Sequence, residues 1–143
     1  MKNIQLTCAH ALIKYLIAQK TLIDGKKVPL FPGVFGIFGH GNVACLGQAL
    51  QENQKDLPTW RGHHEQNMAL TGIAYSRAKR RKQIFVATSS VGPGSTNMIT
   101  AAAVAMSNRI PILFLPGDTY ANRMPDPVLQ QVEHFNNPGI TAN

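Results

Sequence analysis

Two short apolar runs, separated by an alanine-rich stretch, place the strongest limits on how this 143-residue chain can fold. Residues 84–88 read IFVAT and residues 110–115 read IPILFL, and neither run alternates apolar with polar side chains. Such runs are typical of strands that are covered on both faces, as in a parallel sheet. The helix that we predict between them, over residues 98–107, carries four alanines, which let it pack closely against the sheet.

The same alternation of strand and helix continues through most of the chain. Thr7 can cap a helix that ends near residues 19–21, and one face of that helix is apolar: Leu12, Ile13, Leu16 and Ile17. Residues 24–27 are expected to form an exposed turn, and residues 28–34, with two prolines, a connector. We predict further strands at 34–38 and 59–61, and further helices at 43–51, from 65 to about 77, and at 127–134. The predicted fold is α/β, a three-layer sandwich in which a parallel sheet has helices on both faces.

Length and composition favour a single compact domain. The chain is 44% hydrophobic but only 15% charged, which suggests that another domain or subunit covers part of its surface. We expect residues 1–143 to form one domain, with a core over about residues 1–118. Residues 119–143 are expected to be an exit segment toward domains further along a longer protein.

The sequence shows no sign of export or of membrane insertion. No apolar run approaches the roughly 20 residues that span a membrane, and the first residues lack the features of a secretory signal peptide. Cys8 and Cys45 have no metal or redox spacing, so we expect both to be small core residues in a reducing compartment. The expected location is the cytoplasm, without a membrane partner.

The formal net charge of +7 raises the question of nucleic-acid binding. Five basic residues lie in the hexamer 77–82 (RAKRRK), at the end of a predicted helix. Cations there offset the negative end of the helix dipole, and no aromatic residue is interleaved for base stacking. We therefore favour a solvated helix end and expect no nucleic-acid partner.

Three turn segments follow predicted strands, at residues 39–42, 62–65 and 89–97. Because ligands of parallel sheets bind at the carboxyl ends of the strands, we expect all three segments at one ligand-binding edge. Glu65 stands out there, since it follows two histidines and begins a helix with small residues on one face. A carboxylate in that position is either held by the positive end of the helix dipole or kept for chemistry.

The glycine motifs and histidines at this edge have structural as well as functional interpretations. Residues 39–44 fit G-x-G-x-x-A, which favours a non-catalytic, Rossmann-type nucleotide-binding module. However, Glu65 comes later in the sequence than the acidic residue that binds the ribose in such modules. The glycines could also simply form a tight turn. Residues 92–97 could bind an anion at a helix start or only cap the helix. The three histidines here (His40, His63 and His64) lack metal-site spacing, so we expect no metal ligands in this chain. We favour supporting or substrate-facing roles for His40 and His64.

Taken together, residues 39–41 (GHG), 64–69 (HEQNMA) and 90–97 (SVGPGSTN) resemble the N-terminal, pyrimidine-binding domain of thiamine-diphosphate enzymes. The nearest broad group is that of acetolactate synthase and related decarboxylases. Within it, residues 24–26, 37–43 and 126–131 are similar to hydrolases of myo-inositol breakdown that open a cyclic 1,2-dione with water. His64 and Asn67 depart from that pattern, so an acetolactate-synthase-like carboligase or a 2-oxoacid decarboxylase is the alternative.

The resemblance implies a role for each segment. Glu65 would be the catalytic residue, because the family's glutamate hydrogen-bonds the N1′ atom of the cofactor's aminopyrimidine and so promotes loss of the thiazolium C2 proton. The cofactor-binding residues implied beside Glu65 are Gly39, His40, Gly41, Gly92, Pro93 and Asn97.

The resemblance also implies partners. In this family Mg²⁺ and the diphosphate are held by a second domain with a Gly-Asp-Gly…Asn run, and no such run occurs in this sequence. Active sites form where the pyrimidine domain meets the diphosphate domain of a neighbouring subunit, so we expect a homodimer or homotetramer. The chain alone is expected to be inactive toward its small-molecule substrate, a cyclic dione.

Overall fold

The structure is a computed structural model that describes residues 3–118. Its strands are β1 (Lys20–Ile23), β2 (Lys26–Pro29), β3 (Val34–Gly36), β4 (Thr59–Arg61), β5 (Val86–Ser89) and β6 (Leu113–Pro116). Its helices are α1 (Cys8–Ala18), α2 (Gly39–Asn42), α3 (Gln48–Glu52), α4 (Glu65–Ala78), α5 (Pro93–Thr96) and α6 (Ile99–Asn108), and a π-helical segment (Val43–Gly47) joins α2 to α3. The helix predicted at 127–134 lies outside the described residues.

Four of the strands form one parallel sheet, in the order β4-β3-β5-β6. Val34 of β3 lies opposite Thr59 on one side and Val86 on the other, and Val86 lies opposite Leu113 of β6. Strand β5 is buried along its whole length, as its uninterrupted apolar sequence predicted. The prediction of a parallel α/β sheet is confirmed.

The sheet has a separate hydrophobic cluster on each face. On one face α1 and the helical stretch 39–52 pack against Val34 and Val86. On the other face α4 and α6 pack against Ala87. Because successive side chains of a strand point to opposite faces, neighbouring residues of β5 supply both clusters. The helices therefore form the two outer layers of the predicted sandwich.

The amino-terminal part contains one element that the sequence analysis missed. Helix α1 begins as predicted, with Thr7 Oγ1 accepting a hydrogen bond of 3.2 Å from the backbone N–H of His10. Asp24 and Gly25, with φ of 50° and 77°, make the predicted turn, but the flanking residues pair as an antiparallel hairpin, β1–β2. The hairpin was missed because lysines dominate β2 and proline ends it; a two-stranded ribbon tolerates Pro29 since it has only edges.

The segment 39–42, predicted as a loop, is helical. It forms α2, so the helix begins one turn before the predicted start at Val43 and continues to Glu52. Two glycines give this turn a low helical propensity, which is why its sequence resembles a loop. Tertiary contact overrides that propensity: Asn42 Nδ2 donates a hydrogen bond of 3.1 Å to the carbonyl oxygen of Ser89.

Both cysteines lie outside the core. Cys8 and Cys45 are free thiols on exposed residues, so the expectation that they are core residues was wrong. The buried face of α1 is occupied instead by Ile13 and Leu16, and the π-helical segment buries Leu46. Within residues 3–118, no helix has the length and apolar character needed to cross a membrane.

Candidate functional site

The three segments singled out from the sequence lie at one edge of the sheet. Gly36 pairs with Arg61 on one side and with Thr88 on the other, so β3, β4 and β5 end together. The chain then enters α2 after β3, α4 after β4, and α5 after β5. The polar and glycine-rich residues of all three segments are therefore neighbours in space, as expected for a ligand-binding edge.

Glu65 is the first residue of α4, and its side chain is held in place from two directions. His64 caps the helix, its Nδ1 accepting a hydrogen bond of 3.4 Å from the backbone N–H of Asn67. Glu65 Oε2 accepts a hydrogen bond of 2.8 Å from Nδ2 of Asn97. The helix N-terminus favours a negative charge at this position. Glu65 is half-buried, and no donor within residues 3–118 is bonded to its second oxygen, Oε1.

Two glycines allow the segments to approach Glu65 closely. A Cβ on Gly94 would collide with Ser90 Oγ and would lie 3.3 Å from Glu65 Oε1. A Cβ on Gly39 would collide with the side chain of Ser90, and Gly39 has φ of 64°, a conformation that favours glycine. Ser90 thus lies between both glycines, and the missing side chain at Gly94 leaves room for Ser90 Oγ and Glu65 Oε1 to lie beside it.

A buried network of hydroxyl and backbone groups fixes the turn after β5. Ser95 Oγ lies 2.7 Å from the carbonyl oxygen of Ser90 and 3.1 Å from that of Gly117, and it donates to them. The backbone N–H of Gly117 donates in turn to the carbonyl oxygen of Ser89, at 2.9 Å. The turn that carries Gly94 and Asn97 is therefore fastened to the end of β6.

The structure does not bring every expected residue to Glu65. His40 and Gly41 are exposed, and a Cβ on Gly41 would meet nothing within 4 Å. Pro93 is the exposed first residue of α5, and Gly92 before it has φ of 68°. His63 and His64 line a separate cavity of about 300 Å³ beside α4. Within the described residues, the direct neighbours of the Glu65 carboxylate are Asn97 and Gly94.

Two contributors were not identified from the sequence. Ser90 belongs to the quoted motif but received no role, and Asn42 was treated only as part of a loop. Both act through tertiary contacts, Ser90 against Gly39 and Gly94, and Asn42 against Ser89, for which one sequence carries no spacing signal. Within residues 3–118, no three or more His, Cys, Asp or Glu side chains are grouped so that they could hold a metal ion.

Comparison with known proteins identifies the class to which this fold and edge belong. Residues 32–136 match the family "thiamine pyrophosphate enzyme, N-terminal TPP binding domain", and the chain belongs to that family. The resemblance inferred from the three motifs is therefore confirmed.

Individual relatives carry the name of one kind of enzyme. The chain is 53% identical over 143 residues to the 3D-(3,5/4)-trihydroxycyclohexane-1,2-dione hydrolases of Clostridium tetani and Geobacillus thermodenitrificans, and 51% identical over 142 residues to that of Listeria innocua. These alignments cover 99–100% of this chain but 22% of each relative. The chain thus spans about a fifth of the length of the curated relatives that it matches.

Proposed function

We propose that this chain is the pyrimidine-binding part of a thiamine-diphosphate-dependent hydrolase that opens trihydroxycyclohexane-1,2-dione in inositol breakdown. The observation that carries the proposal is the Glu65 carboxylate, which has one oxygen bonded to Asn97 and the other beside Gly94, without a donor in the described residues. The family match supports the cofactor, and the names of the relatives support the substrate.

The described residues fit an aminopyrimidine ring. A side-chain amide nitrogen can only donate, so Asn97 Nδ2 is the donor and Glu65 Oε2 is the acceptor. That leaves Oε1 as the atom able to face the N1′ position of the ring and to share a proton with it. Because Gly94 has no side chain, no Cβ crowds Oε1 from that side.

When bound, thiamine diphosphate supplies a carbon nucleophile and an electron sink. In this proposal Glu65 holds a proton at N1′, and Asn97 keeps the carboxylate oriented through the reaction. Ser90 packs against both Gly39 and Gly94 and so limits how closely the two segments approach each other. The remaining residues proposed to line the cofactor pocket are Gly39, His40, Gly41, Gly92 and Pro93.

The proposal includes parts that the chain does not supply. In this proposal Mg²⁺ and the diphosphate would be held by a second domain, as the resemblance implies. The active site would form between subunits of a cytoplasmic homodimer or homotetramer, and the chain alone would be inactive. A carboligase or a 2-oxoacid decarboxylase is the second candidate, because His64 and Asn67 depart from the pattern expected of the hydrolase.

The test is Glu65→Gln in the complete enzyme. Glutamine keeps the shape of the side chain but cannot share a proton in the same way, so we expect turnover to fall by about 10²–10⁴-fold, the usual contribution of a general acid–base group. The matched control is Glu52→Gln, which changes an exposed carboxylate elsewhere and should leave turnover unchanged. Wild-type turnover in Glu65→Gln would overturn the proposal. Consumption of pyruvate in place of the cyclic dione would favour the second candidate.

A further inference from the structure

Helices α4 and α6 end side by side at the edge of the sheet opposite Glu65. Both follow strands of the parallel sheet and run back across the same face, where they share one hydrophobic cluster. Their ends are linked directly, because Arg81 Nη2 donates a hydrogen bond of 3.4 Å to the carbonyl oxygen of Asn108, the last residue of α6.

Helix α4 ends with an arginine in a position that usually holds glycine. The backbone N–H of Arg80 donates to the carbonyl oxygen of Arg77 at 3.0 Å, and that of Arg81 donates to Ser76 at 2.8 Å. This pair of bonds defines a Schellman motif, whose left-handed residue is most often glycine. Here that residue is Arg80, with φ of 52°, and Arg81 after it also has a positive φ, of 63°. A side chain in this conformation costs stability, because Cβ crowds the backbone.

Helix α6 ends in the same way. The backbone N–H of Arg109 donates to Met106 at 3.1 Å, and that of Ile110 donates to Ala105 at 2.9 Å. The left-handed residue is again an arginine, Arg109, with φ of 52°. Two neighbouring helices therefore both end with an arginine in a left-handed conformation, although Arg109 itself faces a different cavity from Arg80. Strained residues of this kind are often found at binding sites.

Three arginines at the end of α4 line a cavity of about 390 Å³. Its lining residues are Arg77, Arg80, Arg81, Asn108 and Ile110. Within residues 3–118, no carboxylate forms an ion pair with these three arginines. The ion pair described in that range joins His10 to Glu52, away from this cavity. Lys79 contributes to a different contact, with Nζ 5.6 Å from the centre of the Tyr75 ring. The cavity thus combines three guanidinium groups with no described counter-charge.

We propose that this cavity binds a small anion that carries two or three phosphate groups. Guanidinium groups bind phosphate oxygens through paired N–H donors, and a cluster of three suits a ligand with several phosphates. The two helix C-termini contribute roughly half a negative charge each, which is less than the three positive charges of the arginines. The site lies at the other edge of the sheet from Glu65, so it does not depend on the proposed function.

The experiment is calorimetric titration of the 143-residue chain with inorganic triphosphate at low and at high salt. We expect saturable binding that weakens with salt and at least a tenfold loss of affinity in the double variant Arg77→Gln/Arg81→Gln. The control is Lys26→Gln/Lys27→Gln, which removes two charges from the exposed hairpin and should bind like the wild type. Absence of binding to the wild type, or an equal loss in the control, would overturn the proposal.

A second variant tests the argument from backbone strain and does not risk unfolding. Arg80→Gly relieves the left-handed strain, so we expect the thermal midpoint to rise by about 2–4 °C while triphosphate binding weakens. A lower midpoint, or unchanged binding, would contradict the role assigned to Arg80. Duplex DNA is the competing ligand: if it binds and triphosphate does not, and if Arg77→Gln/Arg81→Gln removes that binding, the small-anion proposal is wrong.

Discussion

Asn97 Nδ2 donates a hydrogen bond of 2.8 Å to Oε2 of Glu65, and this bond joins the end of α5 to the start of α4. The two residues follow different strands, β5 and β4, so the bond depends on the sheet that brings those strand ends together. It also distinguishes the two carboxylate oxygens: Oε2 is occupied, and Oε1 lies beside Gly94.

Asn97→Asp should weaken cofactor use without unfolding the domain. The variant replaces a donor with a second carboxylate of similar shape, which repels Glu65 at neutral pH. Loss of a hydrogen bond to a partly buried charged group costs about 1–3 kcal/mol, so we expect the thiamine diphosphate concentration at half-maximal turnover to rise about 5–150-fold. Titration of the complete enzyme with cofactor measures this value. Asn53→Asp is the control, since Asn53 bonds a backbone carbonyl in α3; an equal rise there would contradict the prediction.

Gly94→Ala should disturb the site, whereas Gly41→Ala should fold without strain. The methyl group added at Gly94 would push against Ser90 Oγ and crowd Glu65 Oε1, but a Cβ on Gly41 has nothing within 4 Å. We expect Gly94→Ala to lower the apparent affinity for thiamine diphosphate at least tenfold, and Gly41→Ala to keep the wild-type thermal midpoint. Thermal unfolding and cofactor titration of both variants check this. Equal cofactor affinity in Gly94→Ala and the wild type would show that the close approach has no role.

The central features of the fold could be predicted from the sequence because they rest on local patterns. The apolar run 84–88 predicted β5, and the Glu65 helix begins where the sequence indicated. Features that depend on tertiary contacts could not be predicted from the sequence. The early start of the helix at Gly39 depends on Asn42 reaching Ser89, and the close contact at Gly39 depends on Ser90 across the edge.

The conformations of the arginines at the helix ends could not be predicted from the sequence either. The sequence analysis interpreted residues 77–82 as a solvated helix end, and the structure does place the end of α4 there. No pattern in the sequence indicates that Arg80 and Arg109 both adopt left-handed conformations or that their helices end next to each other. Both facts follow from the packing of α4 and α6 on one face of the sheet.

Ser95→Ala should destabilise the domain more than Thr96→Ala. Ser95 Oγ is buried and donates to the carbonyl oxygens of Ser90 and Gly117, so alanine removes the described donor of the Gly117 carbonyl, whereas the Ser90 carbonyl keeps Ser89 Oγ at 3.1 Å. That loss costs about 1–3 kcal/mol of unfolding free energy. Thr96 is half-buried and bonds only carbonyls of its own turn, so its removal should cost about 0.5 kcal/mol or less. Urea unfolding measures both values, and equal losses would contradict the proposed role of the buried network.

The contact between α1 and α3 should make stability depend on pH through Glu52. The side-chain amide of Gln48 and the ring of His10, at 3.0 and 2.8 Å, hold the pKa of the Glu52 carboxyl below its ordinary value of 4.5. A group whose pKa is lower in the folded state stabilises the fold above its unfolded pKa, and that contribution is lost as the pH falls through the folded pKa. The loss should therefore occur below about pH 4.5.

Thermal unfolding of the wild type and of Glu52→Gln between about pH 6 and pH 3 measures this contribution, as the difference between their thermal midpoints at each pH. Glutamine cannot titrate, so we expect the midpoint of the wild type to fall further than that of Glu52→Gln over the acidic half of the range. Asp56→Asn serves as the control, because Asp56 is an exposed carboxylate with no side-chain hydrogen bond in the described residues. Parallel curves for the wild type and Glu52→Gln would mean that the contact with Gln48 and His10 does not stabilise the fold in solution, as screening by water permits for an exposed pair.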